Sequence, residues 1–440
     1  MIFYSRQKRG DLRPLRSGQQ VAIIGGGPAG TSCAIALRRQ AEALGRDIKV
    51  ALFEPKDFRV EANVCVGVLS PPFGKLMARL GLSLPEGIVQ RRIGKYVLHT
   101  DGEALCLREA EDADETTLAV DRADLDFFML ESARAAGVEI RPQLVVDLRF
   151  GPDGVLVIGE RGDVLSCDVV VGAFGLTGEG LRAFEAHTSY QRPGVMRSLL
   201  TDIPVSETEI DARVGDAIHA LLLAAWPGVE FAALTPKRDH VTVNVAGPAI
   251  EERDLDASLA HFQRIGLLPE RLPAAKRFYN VFPSSPAHNI YRDRAVTIGN
   301  TSGLLRPLKG KGINAGLQTG MRAARVILEA GVSREAFDYF YEACKDITSD
   351  YYYGLLLRSL YRLTRRLRYL DAIIGLARQD RVLYRSFRTM VSGEGSYRDV
   401  VYGLLRPALW WRVLGAVARC ERSRRFGKKR LDALSPGQKT

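Results

Sequence analysis

The chain has 440 residues, 46% hydrophobic and 26% charged, an ordinary globular balance for two or three domains. Its formal net charge is +11, yet no nucleic-acid-binding motif accompanies the excess, so nucleic acid is not an expected partner. Six cysteines lie scattered without CxxC or Cys/His ligand spacing, which predicts a reduced, cytoplasmic context and no structural metal.

The basic N-terminal extension, 1–17, has Arg6, Lys8 and Arg9 but no apolar core of a signal peptide. No later segment reaches the roughly 18 uninterrupted apolar residues of a transmembrane helix. Val21–Ile24 is an apolar run suited to a buried parallel strand. Gly25, Gly27, Pro28, Ala29 and Gly30 follow, then a helix over 31–39 and a second strand, Val50–Phe53, ending at Glu54. That order is the fingerprint of a dinucleotide-binding βαβ unit. Gly25 permits the tight turn, Gly27 lets a pyrophosphate approach the backbone, and Gly30 lets helix and strand pack closely. The helix N-terminus offers free N–H groups to the phosphates. Glu54 can accept hydrogen bonds from ribose hydroxyls and would repel a 2′-phosphate.

Further along, 121–137 reads as a capped amphipathic helix with Gly137 at its C-terminal end. Strands are expected at 138–140, 144–150, 155–158 and 167–171. From 181 to 282 apolar residues alternate with polar ones, which predicts an antiparallel, half-solvated sheet forming a second domain. A buried-strand pattern returns at Ala295–Ile298, so the dinucleotide domain is expected to be discontinuous, 18–180 and 283–345, with 86–110 a candidate member of the substrate sheet. Residues 346–440 form a helical, basic C-terminal region whose last ten residues are expected to be disordered. Within it, nine arginines between 358 and 388 interleave with leucine, isoleucine and tyrosine, and six more cations follow between 422 and 430. Two readings stand: a peripheral helix on an anionic membrane surface, on the inner face of the membrane, or a helical cap packed on protein with solvated charges.

A second glycine site follows the Ala295–Ile298 strand: Gly299, Asn300, Pro307, Gly310, Gly312 and Ile313, the last starting a helix. A helix N-terminus there can stabilise negative charge on a reduced flavin, and Asn300 can hydrogen-bond a ribityl chain or pyrophosphate.

Together with Asp121-Arg122 ahead of a helix, these two motifs resemble the FAD-dependent flavoprotein hydroxylase (p-hydroxybenzoate hydroxylase-like) superfamily, and within it the geranylgeranyl reductase group. Cys65-Val-Gly67-Val-Leu-Ser70 is similar to that group's Cys-Gly-Gly-Gly loop over the flavin, and Phe231…Pro236 to its substrate-domain strand. The resemblance spans most of 20–330. It implies an α/β fold: a Rossmann-like FAD-binding domain of glutathione-reductase type, an inserted antiparallel-sheet substrate domain and a C-terminal helical region. It implies FAD as cofactor, Arg122 against the ribityl or phosphate region, and Cys65 near the reactive ring as proton donor or as packing. Four places depart from the pattern, the first being the group's Lys before the loop cysteine, where Asn63 and Val64 stand instead. Asn300 stands for Asp. Lys311 stands for Glu, with Lys309 also basic, and both are candidates to favour the anionic reduced flavin or a phosphorylated substrate. Phe174 stands for the Asp of Gly-Ala-Asp-Gly. No second complete GxGxxG unit exists for a resident nicotinamide, so NAD(P)H or a reduced electron carrier is expected to dock transiently. The leading expectation is a reductase of C=C bonds in a hydrophobic isoprenoid or lipid-like substrate. The alternatives are an FAD monooxygenase or halogenase-like enzyme on an aromatic or polyketide substrate, and a non-enzymatic flavin-binding protein.

Overall fold

The structure, a computed structural model, describes residues 12–61, 64–108, 115–306, 312–393 and 395–434. The chain divides into two compact units: Met1–Arg92, Thr117–Ser198 and Phe278–Tyr351 form the first, and Ile93–Thr116, Leu199–Arg277 and Tyr352–Thr440 the second.

The first unit is built on a six-stranded sheet. Its strands run in the order Tyr291–Arg292, Ala295–Thr297, Val169–Gly172, Gln20–Ile24, Lys49–Phe53 and Glu139–Arg141. All pairings are parallel except that of the Tyr291–Arg292 edge. Val21, Ala22, Ile23, Leu52 and Val169–Val171 have no solvent exposure, which is what near-continuous apolar runs become when both faces of a parallel sheet are covered. Ile24 lies level with Gly172 on one side and Phe53 on the other, so three strand ends meet at one edge. In parallel α/β sheets ligands bind outside that carboxyl edge. The expected helix over 31–39 is longer, Pro28–Ala43, because Pro28 already occupies the first turn. The helix at Arg122–Ala135 is capped as expected: the Asp121 carboxylate accepts from the N–H groups of Ala123 and Asp124.

One correction concerns 167–171. It is two strands, Val164–Cys167 in an antiparallel three-stranded sheet and Val169–Gly172 in the parallel one. Asp168 makes the break: its carboxylate accepts from Gln19 Nε2 at 2.6 Å and from the Gln20 N–H at 2.7 Å.

The second unit holds five neighbouring strands of a seven-stranded sheet, in the order His240–Gly247, Phe231–Pro236, Ala217–Leu221, Lys95–His99 and Ala104–Arg108; the sheet's other strands are Val195–Pro204 and Arg277–Pro283. The sequence places the divides after 180 and 282. The units change over instead within Val195–Pro204 and at the start of Arg277–Pro283. Residues 93–116 and 352–440 group with the inserted segment. The sheet is not purely antiparallel, since Ala217–Leu221 pairs in parallel with Lys95–His99. Nor are its central strands half-solvated: every residue of Val241–Gly247 is buried. One face carries Leu221, Ala232, Leu234, Val243 and Val245 in a core closed by Leu255 and Phe262 of the helix Glu252–Arg264.

The arginine-rich segment folds into this unit. Arg358 and Arg362 both bind the Glu230 carboxylate, at 2.8 and 2.7 Å. Arg365 donates to the carbonyls of Val229 and Glu230, and Arg378 binds Glu103 at 2.6 Å. These four cations are committed to protein acceptors, which removes the membrane reading for this part of 358–388 and favours the packed cap. Expected disorder of the last ten residues is corrected in part, as the helix Pro407–Leu434 reaches into them.

Candidate functional site

The carboxyl edge of the parallel sheet assembles the first motif by steric necessity. Gly25 has φ +109°, and a Cβ there would strike the Ala173 backbone. A Cβ on Gly30 would run into the Gly25 carbonyl, so turn and helix can touch only without side chains. Gly27 differs: it is the N-cap of Pro28–Ala43, has no side-chain cap, and a Cβ on it would meet no atom within 4 Å. Its backbone therefore faces open space at the positive end of a helix dipole, the surroundings a pyrophosphate needs.

Glu54 is buried and already half engaged. One oxygen accepts from the Gly26 N–H at 2.7 Å and the other from the Lys56 N–H at 3.0 Å. Burial raises its pKa, against the two N–H groups that lower it. A carboxylate has about four lone-pair sites, so two remain for ribose hydroxyls. Gly26 is a member of this site that the sequence reading passed over. A Cβ on it would come within 2.8 Å of the Glu54 Cβ. The signal was the third glycine of the run.

The second motif lies against the first. A Cβ on Gly299, at φ +59°, would sit 2.6 Å from the Ala29 Cβ. One on Gly320 would come within 2.6 Å of the Ala29 carbonyl oxygen, so the helices Pro28–Ala43 and Gly312–Glu329 cross at glycine contacts. The Gly299 N–H donates to Thr319 Oγ1 at 3.0 Å. Asn300 lies so close to Gly312 that a Cβ there would meet its side-chain oxygen. Ile313 follows in the first turn of that helix. Pro307, Lys309, Gly310 and Lys311 lie outside the described residues.

Cys65 and Arg122 are brought together. The Arg122 guanidinium interacts with the Cys65 thiol and binds Asp126 at 2.9 Å. Burial works against the Arg122 charge, but Asp126 and Cys65 hold its pKa above the usual arginine value. Asp126 is fully buried and was not foreseen, although its position one turn after Arg122 is an ion-pair spacing. The Cys65 loop is tied at both ends. Asn280 Nδ2 donates to the Val64 carbonyl at 2.8 Å, and Asn314 Nδ2 to the Ser70 carbonyl at 2.9 Å. The Cys65 sulfur accepts from the Gly67 N–H at 3.4 Å. Phe174 packs with Phe184 and Tyr190 at centroid distances of 5.0 and 6.4 Å, so the place of the superfamily's aspartate is apolar. Tyr190 in turn donates to the Thr301 carbonyl at 2.6 Å, joining this cluster to the second motif.

These residues fit FAD: an uncapped helix N-terminus, a glycine open to solvent, a carboxylate with spare lone pairs, and a second glycine turn packed against the first. No family model matches the chain. Among curated proteins it is 23% identical over 347 residues to digeranylgeranylglycerophospholipid reductase 1 of Methanosphaera stadtmanae, covering 74% of this chain and 80% of that one. These similarities support a geranylgeranyl reductase-like, FAD-dependent superfamily. The names of the curated relatives support an FAD-dependent oxidoreductase. Solved structures share the chain's fold. A geranylgeranyl bacteriochlorophyll reductase-like protein from Thermoplasma acidophilum matches with a TM-score of 0.69 at 16% identity, over 88% of this chain and 98% of that one. A flavin-dependent brominase matches with a TM-score of 0.66 at 17% identity, over 87% and 98%. At such identities the solved structures speak for the fold alone. Among the described residues no group of His, Cys, Asp and Glu could hold a metal, and no helix is long and apolar enough to cross a membrane.

Proposed function

We propose that this oxidoreductase saturates carbon–carbon double bonds in an isoprenoid or lipid-like substrate. The observation that carries the reading is the similarity, over three quarters of the chain, to a curated protein named for reducing a digeranylgeranyl lipid. Gly25, Gly27, Pro28, Ala29, Gly30 and Glu54 would hold the adenine-nucleotide half of FAD. Gly299, Asn300, Gly312 and Ile313, with Arg122, would hold the remainder. A flavin held there would supply the hydride. The chain's part is to fix geometry and move the proton. The Cys65 S–H donates to the second carbon of the double bond, and the thiolate left behind faces the Arg122 guanidinium. Asp126 aims that guanidinium, and Asn280 and Asn314 hold the loop that carries Cys65. NAD(P)H or a reduced carrier docks transiently to restore the electrons.

The likeness to a flavin-dependent brominase supports a second reading, oxygen-dependent chemistry on an aromatic or polyketide substrate. Anaerobic incubation of the reduced holoenzyme with a polyprenyl lipid separates the two. Reductase chemistry yields product heavier by two hydrogens for each bond saturated. Product that forms only in oxygen and carries an added oxygen or halogen atom would replace the reductase reading.

A further inference from the structure

The C-terminal helices of the second unit expose large apolar side chains that nothing in the reaction requires. On the helix Pro407–Leu434, Leu409 and Ala416 are buried on one side, while Trp410, Trp411 and Leu414 are exposed on the other. Their spacing of three and four residues puts the three on one stripe. Leu405 and Tyr402, just ahead of this helix, are exposed as well. Trp411 is 75% exposed, Leu405 61% and Tyr402 57%, far beyond the single scattered leucine of an ordinary surface.

The charge around the stripe is one-sided. Between 402 and 422 the sequence has Arg406, Arg412, Arg419 and Arg422 against the single carboxylate Glu421. Arg406, Arg419 and Arg422 are exposed, while Arg412 pairs with Asp380 at 2.7 Å. A helix with tryptophan and leucine on its outer face and arginine at its flanks suits the boundary between headgroups and acyl chains. A twofold contact with a second copy would set arginines against arginines, which the charge pattern disfavours. We infer that Tyr402, Leu405, Trp410, Trp411 and Leu414, flanked by Arg406, Arg419 and Arg422, form a peripheral docking surface for an anionic membrane. This deepens the lipid-substrate reading, yet it is tested without turnover.

The full-length holoenzyme is mixed with phosphatidylcholine vesicles containing a third phosphatidylglycerol, and with pure phosphatidylcholine vesicles. Partition is read by co-sedimentation. In a Trp226→Phe background the remaining tryptophans, Trp410 and Trp411, report insertion by a blue shift of emission. The surface predicts binding to the anionic vesicles, a weakening with added salt, and at least a ~10-fold loss of partition in W410S/W411S, because affinity follows buried apolar area and lipid charge. Both tryptophans are exposed, so the double variant should keep the wild-type melting temperature and circular dichroism. Three results overturn the inference: no binding to anionic vesicles, binding that W410S/W411S leaves unchanged, or a dimer in solution that the same substitutions dissociate. Loss of vesicle binding in W410S/W411S with lipid reduction intact in detergent supports the surface assignment. Binding without any reductase activity would count against the reaction alone.

Discussion

Glu54→Gln separates what this residue does for the fold from what it does for FAD. The substitution keeps the shape and an oxygen acceptor for the Gly26 N–H, and removes the charge. Burial raises the folded-state pKa of Glu54 above its ordinary value of 4.5. A carboxyl so shifted lends stability below the unfolded pKa, and that stability is lost as pH rises through the folded value. At pH 4 and below, wild type and E54Q should therefore melt together. As pH rises past 4.5 the wild type should fall behind, so E54Q is the more stable apoprotein at pH 8. FAD binding moves the other way. A hydrogen bond to a charged acceptor is worth ~1.5–3 kcal/mol and a neutral one ~0.5–1.5 kcal/mol, so one ribose hydroxyl accepted by Glu54 loses ~1–1.5 kcal/mol, or roughly tenfold in Kd. Titrating apoprotein with FAD and following flavin fluorescence measures this directly, beside thermal melts at the two pH values. A Kd within twofold of wild type would refute the ribose contact. A melting temperature below wild type at pH 8 would refute the account of the buried charge.

The neighbouring glycines divide in the same manner. Gly27→Ala should fold with the wild-type melting temperature, since its Cβ meets no protein atom, yet bind FAD at least ~10-fold more weakly because the methyl occupies the phosphate approach. Gly30→Ala should instead destabilise the apoprotein by ~1–3 kcal/mol in urea, the cost of overpacking, since its Cβ meets the Gly25 carbonyl. In the second unit, Glu230→Ala removes the carboxylate that the buried Arg358 binds and should cost ~3 kcal/mol; Arg362, half exposed, adds little. Burial disfavours the Glu230 carboxylate, but Arg362 and Arg358 outweigh it and lower its pKa, so its stabilisation is present above pH 4.5 and lost as pH falls through the lower folded value. Urea midpoints of wild type and E230A should accordingly converge under acid conditions.

Much of the candidate site was legible because its residues answer to local rules. A positive φ at Gly25, a helix N-terminus at Gly27 and an acid ending the second strand each need a particular residue type at a particular offset, and all three stand in the sequence. Asp121 was legible for the same reason, as an N-cap. What escaped was long-range. Nothing local marks Asn280 as the partner of the Val64 carbonyl, or Asn314 as the anchor of Ser70, since those hydrogen bonds join segments hundreds of residues apart. The break at Asp168 escaped because an apolar run on either side of one acid reads as a single strand until its donors, Gln19 and Gln20, are known.

The C-terminal region shows the same limit acting on charge. A cation at helical spacing beside leucine has one signature, whether it meets solvent, lipid headgroups or a buried carboxylate. Arg358, Arg362 and Arg365 meet Glu230 and its neighbouring carbonyls, so the stretch richest in arginine is a packing element. The apolar stripe at 402–414 carries fewer charges and drew no attention in the sequence, because two adjacent tryptophans are as consistent with a core as with a surface. Only exposure separates those cases: burial of Leu409 and Ala416 fixes the inward side of the helix, and Trp410, Trp411 and Leu414 are left on the outward one. On the proposed reading, where this basic chain meets a membrane is decided less by its count of arginines than by which apolar side chains the fold leaves uncovered.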